Sequence, residues 1–224
     1  MNQKEKERIA KIIEILKKEY QGSRIALKYS DPFQLLVAVI LSAQCTDVQV
    51  NKVTPLLFSK FPTAQDLAEA DPSEIEEIIR STGFFRNKAK NIRNTARIIV
   101  ERFGGKVPDT MEELLTLPGV ARKTANIVLY NAFGKTDGIA VDTHVKRLSK
   151  RLGLTSSDNP VKIEKDLMKV IPVELWGPIS YMLVEHGRKV CRAKSPQCPV
   201  CPLRGLCPYY AKQANSEKDR KGAE

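Results

Sequence analysis

The run Phe33-Gln34-Leu35-Leu36-Val37-Ala38-Val39-Ile40-Leu41 is apolar on every side once it is wound into a helix. Asp31-Pro32 stands just before it and is a strong helix start. The Asp can cap the free amides, and Pro suits the first helical position, where its missing N–H costs nothing. A helix without a polar face has to be enclosed by other helices. The same run could pass for a buried strand, but no neighbouring segment alternates in a way that would pair with it. The feature therefore predicts an all-α chain.

The remaining segments read as helices. Ile9, Ile12, Ile13 and Leu16 recur at helical spacing between Gln3 and Tyr20. Thr46-Asp47-Val48-Gln49 reads as a capping box opening a helix to about Ser59. Thr63–Glu69 and Asp71–Arg80 read as short helices, and Ser81-Thr82-Gly83-Phe84-Phe85 as a turn carrying two aromatics. Arg86–Phe103 is a long helix ended by Gly104-Gly105. Val141-Asp142-Thr143-His144 opens another that stops before Gly153, and Pro160–Val170 and Glu174–Lys189 follow. Residues from Lys212 to Glu224 are polar and expected to fray.

Composition narrows the class of partner. The 224 residues carry a net charge of +11, spread along the chain without a polybasic tail. Nucleic acid is the leading partner, because Lys and Arg gain affinity by releasing counterions from phosphates; the plain alternative is solubility. No run approaches the ~18–20 apolar residues a membrane span requires. The first eight residues, Met1 to Arg8, are charged with no apolar segment behind them, so a cytoplasmic protein is expected.

Leu117-Pro118-Gly119-Val120-Ala121-Arg122-Lys123-Thr124-Ala125 lies between two helical patterns. Thr110-Met111-Glu112-Glu113 opens a short helix before it. The helix after it runs without Gly or Pro from Ala121 to Phe133 and ends at Gly134. Helix, Pro-Gly hairpin, helix is the local reading. The second helix presents free N–H groups and a positive dipole end, a site suited to a DNA phosphate. Lys123 lies in its first turn, where the helix end and Arg122 disfavour an ammonium and favour a nucleophilic amine. Read alone, the stretch fits equally a hairpin that only grips DNA backbone.

Four of the five cysteines are bunched as Cys191, Cys198, Cys201 and Cys207, spaced Cys-x6-Cys-x2-Cys-x5-Cys. A loop so short, with prolines at 196, 199, 202 and 208, has no core of its own, and a metal centre would hold it. Sulfur ligands in a four-coordinate site leave zinc or an iron–sulfur cluster open.

The chain resembles the endonuclease III family of helix–hairpin–helix DNA glycosylases. The pieces that match are Leu41-Ser42-Ala43-Gln44-Cys45-Thr46-Asp47, Thr82 to Ala89, the Leu117–Ala125 hairpin, Ala140-Val141-Asp142-Thr143-His144 and the cysteine loop. They occur in the family's order from residue 25 to 207. The resemblance implies a six-helix barrel over 25–135 that carries the hairpin. It also implies a second lobe of 1–24 plus 136–210 with a [4Fe–4S] cluster on the four cysteines, a DNA cleft between the lobes, and a flexible tail over 211–224. It implies base excision repair of oxidised pyrimidines, with Lys123 as nucleophile and Asp142 as essential carboxylate. The partner is double-stranded DNA holding damaged bases or abasic sites; no membrane is involved and a monomer is expected.

Reach permits the pairing. The helix after the hairpin carries the chain roughly 20 Å at ~1.5 Å per residue. The eight or so residues back to Asp142 can span about 27 Å at ~3.4 Å each. Without the resemblance Asp142 reads as a helix N-cap, and both roles are compatible. Pro118, Gly119, Val120, Ala121 and Arg122 are carried over as DNA contacts, and Gln44 and Phe84 as residues that fill the void left by a flipped base.

Two departures stand out. The family often has leucine at Phe84 and usually glycine at Ala121, where a positive φ would strain alanine. Core packing is the bland reading for Phe84 or Phe85. His144 reads as a neighbour bonded to Asp142, His186 as core, and Cys45 as a small buried residue. Three rivals stay open: a monofunctional mismatch or adenine glycosylase, a non-catalytic DNA-binding iron–sulfur protein, and a zinc-bound basic module.

Overall fold

The computed structural model describes residues 2–221, with side chains as far as residue 214. Among the described residues there are twelve α-helices and no strand. They are α1 Gln3–Glu19, α2 Pro32–Leu41, α3 Asp47–Lys60, α4 Ala64–Glu69, α5 Pro72–Ile79, α6 Phe85–Phe103, α7 Met111–Leu114, α8 Arg122–Phe133, α9 Thr143–Arg151, α10 Pro160–Met168, α11 Trp176–Lys189 and α12 Pro208–Lys221. The stretch from 211 is thus helical to Lys221, and residues 222–224 of the expected tail lie outside the described residues. No helix among them is long and apolar enough to cross a membrane.

The chain divides into two compact units, Ile25–Asp137 and Met1–Arg24 with Gly138–Glu224. In the first, α2 is the centre. Its residues from Phe33 to Leu41 are buried except for Gln34, and α3, α6 and α8 pack around it. Each enclosed Leu or Ile of this kind contributes about 1.5–3 kcal/mol. Asp31 caps α2 by accepting from the Gln34 N–H at 2.9 Å. Helices α4 and α5 lean on α6, whose buried stripe includes Ala89, Ile92, Ala96 and Ile99. Six of this unit's helices exceed one turn; α7 is a single turn leading into the hairpin.

In the second unit α1 buries Ile9, Ile12, Ile13 and Leu16 and packs on α11, while α9 packs between α10 and α11. Arg8 ties α1 in place by donating to the Leu152 carbonyl at 2.9 Å and the Leu206 carbonyl at 2.8 Å. That anchors the N-terminal helix both to the end of α9 and to the cysteine loop.

Candidate functional site

The hairpin is a tight turn closed by Val120 N–H on the Leu117 carbonyl at 3.2 Å. Gly119 has φ of +78°, the third-position conformation of a type II turn, with Pro118 ahead of it. A side chain is barred there twice, because a Cβ would also stand 3.0 Å from Asn91 Nδ2 and 3.3 Å from Ile40 Cγ2. The turn is clamped onto α6, where the buried Thr95 hydroxyl donates to the Pro118 carbonyl at 2.9 Å. Ala121 is the residue before α8, with φ −103° and ψ 172°. This extended backbone suits any L-residue, so glycine is not required there and alanine carries no strain.

No side chain caps α8. In contrast α1 to α5, α7, α9 and α10 each receive a side-chain cap. The residue ahead of α8, Ala121, has no side chain that could cap it, and an uncapped helix start of this kind is a favourable place for an anion. Arg122 and Lys123 are its first two residues and both are half-buried.

Asp142 caps α9. Its Oδ1 accepts from the Val145 N–H at 2.8 Å, and its Oδ2 lies 3.1 Å from His144 Nδ1. The two bonds fix the carboxylate's direction while its side chain stays 30% exposed. Helix α9 lies close to α11 at Gly187, where a Cβ would meet Arg147 Nη2 at 2.9 Å and His144 Cδ2 at 3.1 Å. Arg147 in turn donates to the carbonyls of Gly187 and Cys191 at 3.2 Å each. Gly187→Ala is expected to displace the Arg147 guanidinium from the Gly187 and Cys191 carbonyls and to crowd His144 and Leu148, at a cost of about 1–3 kcal/mol, visible as a lower melting temperature. An unchanged melting temperature would show that the packing yields freely.

Gln44 and Phe84 are the non-glycine residues with positive φ among the described residues, at +53° and +48°. Left-handed backbone costs such residues about 1–2 kcal/mol, and both side chains face solvent. Phe84 is 68% exposed, so it is Phe85, and not Phe84, that packs against the core. Phe85 lies between two guanidinium groups, Arg80 at 5.9 Å and Arg86 at 5.3 Å from its ring centre. Cys45 is half-buried, more open than its small apolar character suggested.

Cys191, Cys198, Cys201 and Cys207 all line one small cavity. Among the described residues no three His, Cys, Asp or Glu side chains converge as they would on a single ion. Burial, and then the neighbouring thiols, push Cys198 and Cys201 above the ordinary thiol range. A cationic centre would offset that rise for these two thiols. Arg151 braces the loop, donating to Cys191 Sγ at 3.2 Å and to the Arg192 and Ala193 carbonyls, with Tyr209 stacked under its guanidinium at 4.5 Å. Arg204 donates to the Pro199 carbonyl at 2.7 Å, so it supports the loop from within.

His186, which the sequence offered only as core, is 1% exposed and sits 3.6 Å from Cys201 Sγ through Nε2. Its Nδ1 lies 2.7 Å from the Tyr20 hydroxyl, whose pKa burial raises to about 12. The tautomer that suits a deprotonated sulfur has Tyr20 O–H donating to Nδ1 and Nε2–H facing Cys201. Burial pushes His186 down to about 4. An unfolded histidine titrates near ~6.5, so between those values the unfolded chain binds a proton that the folded chain refuses. Its contribution is complete above pH ~6.5 and is lost as pH falls toward about 4, by roughly 3 kcal/mol in all. Denaturation midpoints at pH 7 and 4.5 check this. His186→Gln should flatten the difference, and an equal slope in both proteins would refute it.

Residues 37–173 match the model of the HhH-GPD superfamily base excision DNA repair protein. The fold and the clamped hairpin thus define a helix–hairpin–helix base excision repair protein. The chain is 61% identical to endonuclease III of Synechocystis sp. over 203 residues, covering 91% of this chain and 93% of that one. It is 47% identical to endonuclease III of Bacillus subtilis, covering 88% and 87%. The solved structure of a trapped endonuclease III–DNA covalent intermediate superposes with a TM-score of 0.89 at 45% identity, covering 93% of this chain and 98% of that one. The chain belongs to the endonuclease III family, whose members are DNA glycosylases with lyase activity.

Proposed function

We propose that the chain removes oxidised pyrimidines from duplex DNA and then cleaves the strand through a Schiff base on Lys123. The observation that carries this reading is an amine in the first turn of a helix that no side chain caps, on a turn that Gly119 alone permits. A phosphate held by the α8 amides brings the sugar of its own nucleotide to that amine.

The base is turned out of the stack, and Gln44 and Phe84 occupy the space it leaves. Lys123 Nζ bonds to C1′ as the bond from C1′ to the base breaks, and the base departs with a proton. Asp142 steadies the positive charge that develops on the sugar. The sugar ring opens to an imine between Nζ and C1′. The imine acidifies C2′; loss of a C2′ proton expels the 3′ phosphate, and water then frees Lys123. Only an amine can form this imine, which is why a lysine is required.

The same reading assigns a [4Fe–4S] cluster to Cys191, Cys198, Cys201 and Cys207. The four cysteines share one cavity, and among the described residues no three of them converge as on a single zinc ion. Cys191, Cys198, Cys201 and Cys207 would hold the cluster, which would cross-link the loop that Leu203 already anchors in the core, with Arg151 and His186 beside the sulfurs. The site residues, lesion class and cluster are tested together. Purified protein should show iron–sulfur absorbance, and borohydride should trap it on a duplex carrying thymine glycol but not on undamaged duplex. Base release without any trapped adduct would favour a monofunctional glycosylase, and binding without release a non-catalytic protein.

A further inference from the structure

We propose that Lys88 is a positioning residue: it clamps the Thr82–Phe84 turn from both ends and, with the Gln49–Ser81 hydrogen bond, holds Gln44 and Phe84 in register. This rests on reading those two residues as the ones that enter the duplex.

Two observations converge. Lys88 is 5% exposed, and its ammonium donates to the Thr82 carbonyl at 2.8 Å while its backbone N–H donates to the Phe84 carbonyl at 3.1 Å. One residue therefore holds the carbonyls on either side of Gly83, whose φ of +69° and Phe84's of +48° make the turn. The Thr82 side chain is itself fixed, donating to the Ile79 carbonyl at 2.8 Å. Second, Gln49 does not complete the capping box its spacing suggests. Its Nε2 donates across to the Ser81 hydroxyl at 2.6 Å, joining the start of α3 to the turn before Phe84.

The placement is costly for a residue with no task beyond stability. Burial opposes an ammonium and lowers its pKa, and the first turns of a helix oppose a cation as well. A methionine of similar length would fill the space without either cost. What methionine could not do is hold the Thr82 carbonyl, and a tip already in strained backbone would relax when released. Insertion needs that tip in place before the base leaves, so slack there reduces productive flipping while leaving Lys123 untouched.

The test compares Lys88→Met, Ser81→Ala and Phe84→Ala with the unaltered protein on two probes. One is a duplex with a single thymine glycol. The other is a single-stranded oligonucleotide with an abasic site, where no base has to be flipped. Lys88→Met should slow single-turnover excision from the duplex by about tenfold or more. Its borohydride trapping on the single strand should stay within about twofold. Ser81→Ala, at an exposed position, should show a smaller drop of the same pattern. Equal loss on both probes, or no loss on the duplex, overturns the proposal. If Lys88→Met does not fold, unchanged duplex excision by Ser81→Ala overturns it. Phe84→Ala separates the two layers: if it excises from the duplex as well as the unaltered protein, the insertion reading has failed. If it is slow while Lys88→Met is normal, only the positioning role has failed.

Discussion

Lys123→Gln is expected to give no borohydride-trapped adduct on damaged duplex and to lower strand cleavage by about a thousandfold or more. An amide nitrogen has no available lone pair, so neither the bond to C1′ nor the imine can form. The substitution is gentle otherwise. Gln and Lys have nearly equal helix propensity, and position 123 is half-buried in the first turn of α8. Melting temperature and binding to a non-cleavable abasic analogue should therefore stay close to those of the unaltered protein. A variant that still forms the adduct would mean that another amine is the nucleophile, and the assignment of Lys123 would fall.

Asp142→Asn separates two jobs that one carboxylate performs. As a cap, Oδ1 accepts from the Val145 N–H at 2.8 Å, and an asparagine oxygen does this equally well. Stability should move by less than about 1 kcal/mol, a few degrees in melting temperature at most. As a charge facing a developing cation, the carboxylate has no neutral substitute. Base excision should fall by about 100- to 1,000-fold. Trapping on a preformed abasic site should fall far less, because the bond to the base is already broken there. Asp142→Ala should lose both, with about 1 kcal/mol less stability from the missing cap. If Asp142→Asn keeps most of its excision rate, the residue is a cap and nothing more.

The contrast between these two residues shows how far local chemistry reaches. The hairpin could be read directly, because Pro118-Gly119 sets its own turn and Asp142 caps amides within three positions of itself. Ala121 looked like a departure because a glycine there can signal positive φ. The positive φ falls on Gly119 instead, and Ala121 is extended. Thr46 does cap α3, as its spacing suggests, but Gln49 is drawn away to Ser81, 32 positions on. A local pattern yields wherever a distant partner offers a better bond.

The sequence by itself determined the helices up to α11, the caps at Asp31, Thr46, Thr110 and Asp142, the enclosed α2, the hairpin with Lys123 in the first turn after it, and the four cysteines, but not α12. All of these depend on neighbours within a few residues or on the apolar spacing of a single helix. Only the tertiary structure decided that Phe84 faces water while Phe85 is packed, that Lys88 is buried beneath the Thr82 turn, and that His186 bridges Tyr20, 166 positions away, to Cys201. Exposure, burial of a charge and the choice of a hydrogen-bond partner are set by what other segments bring to the same point in space. No window along the chain contains that information.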